Sequence, residues 1–139
     1  MLEPTLALQK AIGDTLINTP AVTALVTPDH IRAGSTRPEN LPEIIMSGGQ
    51  TIFLGNASGS QLVARVYLDL HVWAIEDGAE TAKHIGFAVC NALKIAPKTQ
   101  GFSIDEFQLP AIRWMRDPDP ALNYVHGVIT AEAVVRWKV

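Results

Sequence analysis

The chain has 139 residues, of which 47% are hydrophobic and 18% charged, with a formal net charge of -3. That length suits one domain, here taken as residues 1–139, which buries about two-thirds of the surface its unfolded form exposes. No run approaches the roughly 20 uninterrupted apolar residues of a membrane helix, and eleven scattered basic residues in an acidic chain argue against a general nucleic-acid binder.

The N-terminal stretch Met1-Leu2-Glu3-Pro4 has no basic segment leading into an apolar one, so no secretory signal is expected and the chain is expected to stay in the cytoplasm where it is made. Thr5 to Ile17 reads as an amphipathic helix, because Leu8, Ile12, Thr15 and Leu16 share one face while Gln9, Lys10 and Asp14 lie elsewhere. Thr19-Pro20 opens a second, short helix, which Thr27-Pro28 closes. Ala33 to Pro42 carries two prolines without periodicity and reads as a loop, ordered or mobile. Glu43 to Met46 and Thr51 to Leu54 are two β-rich runs, and Ser47-Gly48-Gly49-Gln50 between them suggests a hairpin turn. Gly55 to Ser60 reads as a turn or flexible tip.

From Leu62 to Ile75, Val66, Leu68, Leu70 and Val72 alternate with Arg65, Tyr67, Asp69, His71 and Trp73, the pattern of a strand with one core face. Its other face is polar and aromatic, which a strand facing only water rarely needs. These five residues are therefore the candidate interface. Asp77-Gly78 ends the strand, and Ala79 to Leu93 predicts a helix with Ala82, Ile85, Val89, Ala92 and Leu93 inward and Pro97 beyond it. Two further strands are expected, Glu106 to Arg116, interrupted by Pro110, and Asn123 to Val139, joined by the rigid acidic turn Asp117-Pro118-Asp119-Pro120. The order of elements predicts an α+β domain, a mostly antiparallel sheet with helices packed on one face.

Residues that could carry chemistry do not converge. His30, His71, His84 and His126 lack the short spacing that puts two metal ligands on one face, although His71 and His126 could meet near Asp69 if their strands are neighbours; no metal is expected. Ser58 in Gly55-Asn56-Ala57-Ser58-Gly59 lacks the glycine spacing of a nucleophile elbow. Cys90, the single cysteine, has no disulfide partner and reads as a small buried residue. Gly48-Gly49-Gln50 echoes the tripeptide of peptide-chain release factors without the rest of that chemistry's setting. The pairs Glu76-Asp77 and Asp117-Asp119 sit at element ends, where acidic residues serve turn and cap geometry. There is no phosphate loop or dinucleotide fingerprint, so neither a cofactor nor an enzyme activity is expected.

Three stretches, in order and spacing, resemble one family. They are Asn40-Leu41-Pro42-Glu43-Ile44-Ile45 after an N-terminal helix pair, Leu68-Asp69-Leu70-His71-Val72-Trp73-Ala74 running into the Ala-rich helix, and Arg113-Trp114-Met115-Arg116-Asp117-Pro118-Asp119 followed by His126-Gly127-Val128. Together they resemble the tail terminator, or tail completion, proteins that join the tail tube to the head in long-tailed phages and gene transfer agents. Asp119-Pro120-Ala121-Leu122-Asn123 departs from the Asp-Gly turn common there. The resemblance implies a virion protein at the tail-neck junction, assembled in the host cytoplasm. It forms a ring, usually a homohexamer, that caps the finished tail tube and meets the head-completion (stopper) protein, with DNA passing only in transit through the lumen. The candidate face from Arg65 to Trp73 would supply one ring contact, and Trp73→Ala is then expected to spare the fold while weakening assembly. The loops Ala33 to Pro42 and Gly55 to Ser60 would supply axial contacts. Two other readings remain, a neighbouring neck component such as a head-closure or minor tail protein, and a small hydrolase or ligand-binding domain, which would need a deep pocket.

Overall fold

A computed structural model describes residues 3–139; Met1 and Leu2, the first half of the N-terminal stretch considered above, lie outside the described residues. Helix α1 spans Pro4–Ile17. The Glu3 carboxylate accepts from the Thr5 and Leu6 N–H groups, and proline occupies the first turn, where its missing N–H costs nothing. Ala7, Leu8, Ala11, Ile12 and Leu16 form the buried stripe, and Asn18 caps the C-terminus. Helix α2, Pro20–Thr23, and a 3-10 turn at Pro28–His30 lead into strand β1, Ile31–Ala33.

Strands β2 (Glu43–Ala57) and β3 (Gln61–Ile75) are followed by helix α3 (Glu80–Ala92), then by β4 (Ser103–Phe107), β5 (Ala111–Arg116) and β6 (Tyr124–Lys138). The sheet order is β1-β2-β3-β6-β4, and β5 lies beside β6 on the same side as β4. Every pairing is antiparallel except β1 with β2. β3 and β6 pair along their whole lengths and form the spine of the sheet. The observed class is the expected α+β, a mostly antiparallel sheet with its core on one face.

That core follows from strand alternation. Ala64, Val66, Leu68, Leu70, Val72 and Ala74 of β3 and Val125, Ile129, Ala131, Ala133 and Val135 of β6 meet Leu8, Ile12 and Leu16 of α1 and Ala82, Ile85 and Val89 of α3 in one cluster. Each large aliphatic side chain buried there contributes about 1.5–3 kcal/mol. The opposite, helix-free face carries Arg65, Tyr67, Asp69, His71 and Trp73 of β3, flanked by Ile45, Ser47, Gln50 and Ile52 of β2 and by His126, Val128, Thr130, Glu132 and Val134 of β6.

Two expectations from sequence are corrected. Glu43 to Leu54 is not a hairpin but part of one long strand. Ser47 pairs with Asp69 and Gln50 with Tyr67, so Gly48 and Gly49 together oppose Leu68. At φ +67° and +120° the two glycines carry a β-bulge, which bends the strand without reversing it. The reversal comes later, at Ser58-Gly59-Ser60, where Gly59 and Ser60 have φ +77° and +59°. Likewise the strand expected over Glu106 to Arg116 is two strands, and the first begins at Ser103. Gln108-Leu109-Pro110 breaks it, because proline cannot donate to β6.

Candidate interface on the helix-free face

The five sequence-predicted residues do share one face of β3, but they differ in access. Arg65, Tyr67, Asp69 and His71 are half-buried, whereas Trp73 is 2% exposed. Trp73 is thus corrected from a contact residue to a covered one, and its cover comes from the same chain.

The segment 34–42 crosses this end of the face as a strap. Its Arg37 guanidinium lies 5.1 Å from the centre of the Trp73 ring and 2.9 Å from the Asp117 carboxylate. At the strap's two feet, Arg32 Nε donates to Glu43 at 2.7 Å and the Glu39 N–H donates to the other Glu43 oxygen at 2.8 Å. Glu43 and Asp117 are both buried, and these donors hold both carboxyls below the usual range: Arg32 and Glu39 N–H overcome burial at Glu43, and Arg37 acts chiefly at Asp117. The loop left as ordered or mobile by its composition is therefore pinned at several points. Neither anchoring carboxylate stands out in sequence. Asp117 looks like a turn residue, and in Glu43 the only signal is one acid at the head of the apolar run Ile44-Ile45-Met46.

Under the strap the rings form a stack. Trp73 lies on His126 with centroids 4.0 Å apart and planes 6° from parallel, and His126 stacks on His71 at 5.0 Å. The strand pairing places His71 Nδ1 and His126 Nε2 2.7 Å apart, the approach anticipated if their strands were neighbours. A single hydrogen bond there requires one nitrogen to donate and the other to accept, so the arrangement suits two neutral rings. Burial pushes the His71 pKa down against the pull of Asp69. Burial, then the neighbouring His71, pushes His126 down to about 4, against Asp117. Among the described residues no group of three or more His, Cys, Asp or Glu could hold a metal ion, and Asp69 instead accepts from the Thr130 hydroxyl at 3.1 Å.

The pH dependence follows with a definite sign. An unfolded histidine titrates near 6.5, so between that pH and about 4 the unfolded chain binds a proton that folded His126 refuses, and stability falls as pH falls. With the ring half-buried, solvent screening limits the loss to about 1 kcal/mol between pH 7 and 5. Urea titrations at the two pH values check this, and His126→Gln should flatten the difference.

Beyond the stack, the face is tied together by its own partners. Arg65 meets Glu132 at 2.8 Å, and Arg136 grips Asp105 through two bonds of 3.1 Å. Other residues singled out in sequence fall elsewhere. Ser58 is exposed in the β2–β3 turn, and Cys90 is half-buried on α3, where burial raises its thiol pKa. A concavity of about 330 Å³ beside β5 is lined by Glu76, Lys83, Trp114 and Arg116, and its lining holds no serine, threonine, cysteine or histidine.

The comparisons with known proteins agree with this architecture. The profile of the family described as tail completion protein gp17 matches residues 10–136. Among solved structures, a chain from the virion of a native gene transfer agent particle superposes with a TM-score of 0.78, at 19% identity over 94% of this chain and 95% of that one. The gp17 protein of bacteriophage SPP1 superposes with a TM-score of 0.55, at 22% identity over 94% of this chain and 89% of that one. None of the curated proteins matches the chain in sequence. At these identities the superpositions speak for the fold, while the profile spans nearly the whole domain: the chain belongs to the tail completion protein gp17 family.

Proposed function

We propose that the chain is a structural virion protein that closes into a ring, hexameric as the resemblance implies, on the end of the completed tail tube. The other side of the ring receives the head-completion proteins at the neck, after assembly in the host cytoplasm. Family membership across residues 10–136 is the observation that carries this reading. The physical character of the chain supports it. Its polar groups on the helix-free face pair with one another rather than converging on a cavity, and its net charge of -3 suits a lumen that lets DNA pass without gripping it.

Arg65, Tyr67, Asp69 and His71 remain the proposed contact residues on that face, with Trp73 beneath the strap as their support. The strap and the Ser58-Gly59-Ser60 tip are the proposed axial contacts. Solution mass tests the reading: the purified chain, or the chain added to tail tube, should be found as a ring, and a monomer indifferent to the tube would reject it.

A further inference from the structure

Among the described residues, part of β2 and the outer side of β5 are open stretches of the sheet's edges, and their chemistry fits one to the other. At the first, β1 covers only Ile44 to Met46 of β2, leaving Ser47 to Ala57 with no strand on its outer side among the described residues. Natural edge strands are usually blunted by charge or proline, yet this run contains neither, and Ile52, Phe53 and Leu54 are 39%, 64% and 50% exposed. Such an edge is built to be covered by another strand. At the second edge, β5 pairs with β6 on one side and, among the described residues, with no strand on the other.

The backbone alternation identifies which groups are free. The Glu76 N–H bonds to the Asn123 carbonyl and the Val139 N–H to the Ser60 carbonyl, so even-numbered residues of β3 bond toward β6 and odd-numbered ones toward β2. Thr51, Phe53 and Asn56, which oppose the even-numbered Val66, Ala64 and Leu62, therefore turn their N–H and C=O outward. By the same logic the Asp117 N–H bond to Tyr124 fixes β6, and Ile112, Trp114 and Arg116 turn theirs outward from β5. At both edges most of these outward-bonding residues, Thr51, Phe53, Ile112 and Trp114, carry their side chains on the helix face. Joining the edges thus keeps every helix on the same side. Within the chain β2 and β5 run in opposite directions, so a second copy that continues the sheet meets β2 with an antiparallel β5.

The geometry points to a ring closed by one continuous sheet, in which β5 of each copy adds to β2 of the next; this rests on the ring reading above. The proposed register sets Phe53 opposite Trp114 as a cross-strand aromatic pair. Thr51 then faces Arg116, whose exposed side chain makes no ion pair among the described residues. Its counter-ion is Glu3, whose carboxylate accepts the Thr51 hydroxyl at 2.7 Å. The contact is head-to-tail, the type that generates rings, and it covers the open run of β2 and the outer side of β5.

The same register brings Ile52 against Met115 in a non-hydrogen-bonded pair, the closest cross-strand approach. Within one chain these two residues lie three strand spacings apart sideways, at least about 14 Å, and are also offset along the strands, since Ile52 is level with Arg65 and Met115 with Trp73; this is well beyond the roughly 7 Å a disulfide can span. In a Cys90→Ser background, the double variant Ile52→Cys/Met115→Cys should therefore oxidise into a ladder of linked chains on a denaturing gel, while either single variant gives no ladder. Light scattering on the same sample separates the two claims. Ring mass with a ladder supports the joined edges. Ring mass without a ladder overturns the edge assignment and leaves the ring reading standing. Monomer mass with no ladder overturns both.

Discussion

Trp73→Ala is expected to destabilise the isolated chain by about 3–5 kcal/mol, the range for removing a large buried aromatic side chain. Three sets of contacts are lost together. The ring stacks on His126 at 4.0 Å, meets Tyr124 edge-on at 6.4 Å, and supports the Arg37 guanidinium from below. Without it the strap keeps its ion pairs and the Glu39 N–H bond to Glu43, and the His71–His126 pair loses its lid. Trp73→Phe is expected to be far milder, about 1 kcal/mol or less, because the Trp73 Nε1–H is buried with no hydrogen-bond partner among the described residues and its removal offsets lost volume. Urea midpoints followed by circular dichroism read both variants. A Trp73→Ala chain as stable as the parent would mean that the strap does not cover this ring.

Gly127→Ala is the second large effect, and its sign is diagnostic. Alanine in a strand normally gains about 0.5–1 kcal/mol over glycine by losing less backbone freedom. Here a Cβ would stand 2.5 Å from Cζ3 of Trp114, inside any real contact distance. The ring cannot easily retreat, since it also lies against Gly86 of α3, where a Cβ would meet it at 2.7 Å. Two glycines on different elements thus make the slot that seats Trp114 between sheet and helix. Overpacking it should cost about 1–3 kcal/mol. A double-mutant cycle with Trp114→Leu isolates the cause: in that background Gly127→Ala should cost much less, with a coupling of about 0.5–3 kcal/mol. Additive effects would place the strain somewhere other than this slot.

Much of the fold was legible because period and punctuation agreed. The alternation Val66-Leu68-Leu70-Val72 against Arg65-Tyr67-Asp69-His71 defined β3 and its two faces. The errors arose where one local signal serves two structures. Two glycines after an apolar run make either a turn or a bulge, and only the partner strand, in register on both sides of Gly48-Gly49, decides between them. Trp73 shows the same limit at the candidate site. Alternation correctly assigned it to the helix-free face but could not reveal that a loop from residues 34–42 folds back over that face, a contact set by Arg37 and Asp117 at a separation of eighty residues. Long-range ion pairs leave no periodicity to read.

The open edges were equally hidden, since which strands lie outermost is a property of pairing rather than of composition. They matter because a subunit with two unlike free edges is suited to head-to-tail closure. The central claim, that copies of this chain close into a ring at the end of the tail, is tested most directly by light scattering on the purified protein across a concentration series, alone and with tail tube present. The expected species is near 90 kDa, a hexamer of the 15.1 kDa chain, formed in solution or on the tube. A mass that stays at that of one chain under both conditions would contradict it.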